Sequence, residues 1–222
     1  VLKFRKRWTR QPQRVVGISK LAQGFGCVSA TLTSRGSFDA ARQRAPRSVD
    51  SGVTYVTTPF GVAQRGTTTA DGVAVHGAGF PSLFPVAPRA FTVMLLVNIA
   101  TTGARRIICG DYDSGGLNAS FSMEQDSSNR WKFEVVSTAP AAFSVQSTGI
   151  VSTGWKWLEF TWDGAFLYGS VDGAQFDTKT FSATLRAGVD YRIGRAGALG
   201  SLGFNGDIAA HFIFGKFLSA AE

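Results

Sequence analysis

The stretch from Trp155 to Phe176, WKWLEFTWDGAFLYGSVDGAQF, constrains the fold more than any other part of this chain. Asp163-Gly164 lies between two strand-like runs, the placement that favours a type I′ hairpin, whose two central residues both need positive φ. Asp172-Gly173 turns the chain again a few residues later. A chain reversed twice over so short a distance forms adjacent antiparallel strands.

The same texture runs through residues 51–222. NASFSMEQ alternates, with Ala119, Phe121 and Met123 to one side and Asn118, Ser120, Ser122 and Glu124 to the other; WKFEVV places Trp131, Phe133 and Val135 on one face. FTVMLLVNI (Phe91–Ile99) is apolar on both faces and reads as an interior strand. Strands spaced by roughly eight to twelve residues, with Gly-centred turns, predict an all-β antiparallel sandwich. Helical period is absent until the last few residues. At 222 residues the chain is long enough for one large domain that needs no metal or disulfide staple.

Residues 1–50 read differently, as a basic extended arm and linker. The first fourteen residues carry six cations (Lys3, Arg5, Lys6, Arg7, Arg10, Arg14) and no acid. Residues 1–47 hold eleven Lys or Arg against Asp39 alone, a balance of +10, whereas residues 48–222 hold twelve against fourteen acids, a balance of −2. The leader has too few apolar side chains (Leu2, Phe4, Trp8, Val15, Val16) to offset the entropy of ordering itself, so a surface outside it must do so. Pro12 favours an extended segment and argues against an amphipathic membrane helix, and two aromatics do not make a stacking groove for nucleic acid. No apolar run approaches a membrane span. VVGISKLAQGFGCVSA lacks the unbroken apolar core of a secretory signal. Phe4, Arg5, Arg7, Trp8, Arg10 and Pro12 are the expected partner-anchoring residues.

Residues suited to catalysis are sparse. The two histidines, His76 and His211, read as structural, with His211 alternating against Ala210 and Phe212 as core positions. There is no nucleophile elbow, P-loop or dinucleotide fingerprint, and Glu124, Glu134 and Glu159 stand on separate strands with no clustered pair for glycoside hydrolysis. The expectation is a non-enzymatic protein without a cofactor. Cys27 and Cys109 are expected as free thiols. In GDYDSGG, Asp111 and Asp113 are a weak Ca²⁺ candidate that Asn205 and Asp207 would complete, an Asp/Gly turn being the plainer account. Trp155, Trp157 and Tyr168 are candidate glycan-stacking residues that fit a core equally well.

Several spaced motifs, in order, resemble the laminin-G-like, concanavalin-type jelly-roll domains. GVTYVTTPFGVAQRGTTTADGVAVHG is similar to their first strands, and FTVMLLVNI to the long strand that usually carries tryptophan where Leu96 stands. WKWLEFTWDGAFLYGSVDG resembles the family's double Asp-Gly hairpin, with Leu167, Tyr168, Val171, Asp172 and Gly173 in the expected places. YRIGRAG and FNGDIAAHFIFGKFLSAAE resemble the closing strands and helix start; the Ser219–Glu222 capping box leads one to expect that the chain continues. The resemblance implies a two-sheet jelly roll over residues 51–222.

The leader, K-F-R-x-x-W-x-x-Q-P-Q-x-x-V-G-I-x, resembles phage proteins with a basic R-Q-P-Q segment before a laminin-G-like domain. That implies a virion structural protein of a tailed bacteriophage: a capsid decoration, head-fibre or tail-associated protein, multi-copy or homo-oligomeric. It would be made in the host cytoplasm and anchored to capsid, portal or tail subunits through its arm. The alternative is a carbohydrate-binding, lectin-like module for host surface glycans, a function the same fold often hosts.

Overall fold

The computed structural model describes residues 27–32, 38–39, 48–49, 52–66, 73–76, 79–84, 87–111, 119–139, 141–195 and 202–218. In chain order the strands are β1 (Cys27–Leu32), β2 (Phe38–Asp39), β3 (Ser48–Val49), β4 (Thr54–Thr58), β5 (Gly61–Gly66), β6 (Val73–His76), β7 (Phe91–Ile99) and β8 (Arg106–Gly110). They continue as β9 (Phe121–Gln125), β10 (Trp131–Val136), β11 (Ala142–Gln146), β12 (Gly154–Trp162), β13 (Phe166–Val171), β14 (Ala174–Thr180), β15 (Tyr191–Ile193) and β16 (Gly206–Phe214).

These form the two-sheet antiparallel jelly-roll sandwich that the sequence predicts. One sheet runs β14-β13-β12-β7-β16-β1-β2, with β5 also pairing to β16 and β4 to β5; the other runs β11-β10-β9-β8-β15-β6-β3. Strands β1, β2 and β3 lie within residues 1–50, and β1 pairs with β16 from Cys27↔Phe214 to Leu32↔Ala210. The sandwich therefore recruits backbone from the segment expected to be arm and linker.

The core fills the space between the sheets. Strand β7, central in its sheet, turns Phe91, Val93, Leu95, Val97 and Ile99 inward, and Phe121, Met123, Trp131, Phe133 and Val135 meet them from the opposite sheet. A 3₁₀ turn, Phe80–Leu83, drops Phe80 into the middle. Its ring stacks on Phe121 at 4.1 Å and meets Phe91 and Tyr191 at 5.1 and 5.7 Å. Offset and edge contacts of this kind add stability beyond burial of area alone.

Two local expectations need correcting. At the first Asp-Gly, positive φ occurs at Gly164 (101°) but not at Asp163, so the turn is not type I′. Asp163 Oδ1 accepts the amides of Ala165 and Phe166, which moves the two turn residues to Gly164-Ala165. The second pair does meet the type I′ requirement, with Asp172 at 53° and Gly173 at 82°. His211 also departs from its expected direction. A register irregularity between Ile208 and Ala210 flips the facing of β16, because one extra residue in a strand exchanges its two faces. His211 then points into the core beside Leu95, and Ala210 and Phe212 point outward with Leu96 and Met94.

Candidate functional site

Outward-facing residues of the larger sheet line up across four strands. Arg65 of β5 is in register with Asp207 of β16, Asp207 with Asn98 of β7, and Asn98 with Trp155 of β12. The neighbours bond to one another. Arg65 Nε donates to Asp207 Oδ1 at 2.6 Å and Nη2 to Oδ2 at 3.0 Å, and Asn98 Nδ2 donates to Oδ2 at 2.9 Å. Burial alone would raise the Asp207 carboxyl, but the donors Arg65 and Asn98 outweigh it and hold it below the usual carboxylate range. The bidentate fork fixes the plane of both side chains.

Beside this row opens a pocket of about 330 Å³, lined by Arg65, Gly66, Asn98, Ala100, Asn205, Gly206 and Asp207. Among the described residues, the Asn205 side chain makes no hydrogen bond within the protein, and Asn98 commits only its amide nitrogen. The pocket thus presents two side-chain amides with unspent hydrogen-bonding capacity, of which Asn98 is held in place by Asp207.

An aromatic pair stands next to it. Trp155 is half-buried, and Phe60, at the tip of the β4–β5 hairpin, meets it edge-on at 5.0 Å while remaining 51% exposed. The hairpin reaches Trp155 by lying over the sheet: Ala63 packs on Leu96, Ala209 and Ala210, with Val56, Trp157 and Phe212 around them. Of the three candidate stacking residues, Trp155 adjoins the pocket and Trp157 follows it on the same face. Tyr168 lies apart, across from Thr161 near the other end of β12.

The outer face of the second sheet holds a mostly polar groove of about 470 Å³ lined by Arg105, Glu124, Asp126, Ser127, Lys132, Glu134, Ala142 and Gln146. Glu124 and Glu134, expected to stand alone, are neighbours: Lys132 Nζ lies 2.6 Å from Glu134 and 3.8 Å from Glu124. Arg105 donates twice to Glu124 Oε2, at 2.9 and 2.7 Å. Desolvation still leaves the Glu124 carboxyl raised, since it is only 1% exposed. This is an internally paired network with no aromatic ring among its lining residues.

Asp111 is spoken for by the fold. Its carboxylate is fully buried and accepts the amides of Phe80 at 2.6 Å, Ser120 at 2.8 Å and Phe121 at 2.9 Å, as well as the Ser120 hydroxyl. The proposed Ca²⁺ ligand is instead the clamp that holds the 3₁₀ turn to β9. Its partner Asp113 lies outside the described residues, as do the anchoring candidates Phe4, Arg5, Arg7, Trp8, Arg10 and Pro12. Asp207, named as a further ligand, is held by Arg65 and Asn98. Among the described residues no group of three or more His, Cys, Asp or Glu side chains is placed to hold a metal ion.

Residue spacing offered no way to find Arg65 or Asn98, and it named Asn205 and Asp207 only as completing a Ca²⁺ loop; Arg65 and Asp207 are 142 positions apart. Trp155 carried the one signal for sugar stacking, as a large aromatic on a strand with an apolar opposite face.

Fold and site together define a jelly-roll sandwich bearing an open polar pocket next to an aromatic pair on its larger sheet. Residues 66–222 match the laminin-G-type family model described as the Concanavalin A-like lectin/glucanases superfamily, and the chain belongs to that superfamily. No curated protein matches it in sequence. Among solved structures it resembles domain 4 of AbnA, a GH43 extracellular arabinanase from Geobacillus stearothermophilus, in complex with arabinotriose. That likeness has 14% identity and a TM-score of 0.67, over 88% of this chain and 95% of that one. The receptor binding domain of botulinum neurotoxin C/D mosaic serotype is 10% identical with a TM-score of 0.68, over 88% of this chain and 49% of that one. The chain thus spans about half the length of that toxin domain. The CBM40 of the Ruminococcus gnavus IT-sialidase, bound to alpha2,3 sialyllactose, is 15% identical with a TM-score of 0.51, over 60% of this chain and 79% of that one. At these identities the likeness is one of fold.

Proposed function

We propose that this chain is a non-catalytic carbohydrate-binding domain whose site is the pocket beside Trp155. The observation that carries the reading is the cross-strand row Arg65–Asp207–Asn98–Trp155, which sets fixed planar polar groups next to an aromatic ring. Sugars offer the complementary chemistry: an apolar C–H face that lies on a ring, and hydroxyls that need donors and acceptors at set angles. The Arg65–Asp207 fork lets such groups be held before the ligand arrives, which reduces the ordering cost of binding. Two structural neighbours, the arabinanase domain with arabinotriose and the sialidase CBM40 with sialyllactose, support a sugar as the ligand. The paired state of Glu124 and Glu134 supports the non-catalytic part, since Lys132 sits between the two carboxylates.

Screening the purified protein against a broad glycan array tests this. Binding is expected for the wild type and a loss of about tenfold or more for Asn98→Ala, which removes an amide from the pocket wall. A wild type that binds nothing on the array, or an unaltered Asn98→Ala, would refute it.

A compatible second reading concerns mounting. The resemblance of residues 1–18 to phage leaders supports a tailed-phage virion protein, anchored to other virion subunits through Phe4, Trp8, Pro12 and the arginines, that displays the domain toward host surface glycans. Deleting residues 1–16 is expected to abolish incorporation into particles while leaving the sandwich folded; normal incorporation would rule the anchor out.

A further inference from the structure

The face that carries Trp155 continues well past the pocket. Trp155, Trp157, Glu159 and Thr161 alternate along β12 on the same side of the sheet. Trp155 and Thr161 are separated by about 20 Å, at the rise of an extended strand. At the far end Thr161 is in register with Tyr168 of β13. The Tyr168 ring lies 6.4 Å from that of Phe166 and 6.0 Å from that of Phe217.

These far-end rings are not core. Phe166 and Phe217 are 41% and 39% exposed, and neither belongs to the cluster that fills the sandwich. Tyr168 is nevertheless held in place, because its hydroxyl donates to Asp163 Oδ2 at 2.6 Å. The same Asp163 carboxylate fixes the β12–β13 turn through the amides of Ala165 and Phe166. A half-buried ring whose orientation is set by the fold, flanked by the exposed Phe166 and Phe217, is a prepared contact surface.

Between the two ends the floor is mixed: half-buried Trp157 comes first, then half-buried Glu159, while Thr161 lies beneath the surface at 2% exposure. Glu159 lies opposite Ser170, and Ser170 opposite Gln175 of β14. The β4–β5 hairpin borders the near end through Phe60. The result is a track along β12 and β13 with aromatic rings at each end, and Trp157, Glu159, Ser170 and Gln175 between them. A single sugar ring would use one end only. None of Trp157, Glu159, Ser170 and Gln175 is a cation that would pair with an anionic sugar, and the Glu159 carboxyl, raised by burial, accepts the Thr161 hydroxyl.

Resting on the carbohydrate reading above, we infer that the ligand is a neutral, unbranched glycan chain bound along its length over β12 and β13. The pocket end takes one ring against Trp155, and the Tyr168 end takes another several rings further along.

Titration calorimetry with arabino-oligosaccharides from dimer to hexamer, and cello-oligosaccharides of the same lengths in a second arm, tests this. Affinity is expected to rise about tenfold or more from dimer to hexamer in the arm that binds, the equivalent of one added stacked ring. Tyr168→Ala removes that gain and leaves dimer affinity unchanged, whereas Tyr168→Phe, which keeps the ring, retains most of it. Trp155→Ala weakens dimer and hexamer alike. Equal affinity for dimer and hexamer, or a Tyr168→Ala variant that keeps the full gain, overturns the extended track and leaves the pocket reading standing. Absence of binding in both arms overturns the track, and an empty glycan array in addition removes the pocket reading beneath it.

Discussion

Replacing His211 by Gln should change how the stability of this protein depends on pH. His211 is 1% exposed between the sheets, and its Nε2 lies 2.8 Å from the Tyr191 hydroxyl. The Cys109 thiol is also fully buried in this core. Burial pushes the thiol up to about 12 and the imidazole down to about 3. In the unfolded chain the imidazole returns to about 6.5. Between those two values the unfolded state binds the extra proton, so stability contributed by neutral His211 is complete above 6.5 and is lost as pH falls toward 3. At pH 5 the loss is about 2 kcal/mol, from 1.36 kcal/mol per pH unit below 6.5. That is a large share of the ~5–15 kcal/mol that holds a typical domain together.

The whole-protein profile does not isolate this effect. Asp111 and Glu124 are raised by burial, so they gain stability as pH falls and act in the opposite sense. The difference between wild type and His211→Gln cancels them, because Gln keeps a hydrogen-bonding group for Tyr191 without titrating. Urea unfolding at pH 7.5 and pH 5.0 should show the variant losing about 2 kcal/mol less than the wild type over that interval. Equal losses in the two proteins would refute the argument, and would mean that His211 can charge within the fold.

The Asp111 clamp gives a second expectation. Asp111→Ala leaves the buried amides of Phe80, Ser120 and Phe121 without an acceptor, which should cost at least about 3 kcal/mol in urea unfolding. Gly188→Ala should destabilise through the same clamp, since a Cβ there would lie 2.0 Å from Asp111 Oδ2; a wild-type midpoint for either variant would count against it. EDTA is expected to leave glycan binding unchanged, because the Asp111 oxygens are taken by the fold and Asp207 by Arg65 and Asn98. Loss of array signal on chelation would show that a cation takes part.

Much of the fold was legible because it is local. Alternation in NASFSMEQ and WKFEVV put Phe121, Met123, Phe133 and Val135 in the core, and the two-faced FTVMLLVNI became the central β7. The failures have specific causes. Asp163 uses its carboxylate to cap the next amides, and this shifts the turn by one residue from where Asp-Gly alone would place it. His211 lies beyond a bulge, and a bulge leaves no mark on the pattern of one strand taken alone. The site was legible as one for sugar only at Trp155, while Asn205 and Asp207 stood out for a different role, as cation ligands. Its other members come from β5, β7 and the start of β16, and become neighbours only once the strand order is known. The same holds for Glu124 and Glu134, which meet because β9 and β10 pair in the register that sets Glu124 opposite Lys132.

The proposed sugar site lies at the Trp155 end of the larger sheet. Chemical-shift mapping on ¹⁵N-labelled protein, titrated with a glycan that binds on the array, tests it most directly. The Trp155 indole N–H and the amides of Asn98, Asn205 and Asp207 should move together and saturate with a single affinity. Shifts confined instead to the groove of Arg105, Glu124, Lys132 and Glu134 on the opposite sheet would contradict it.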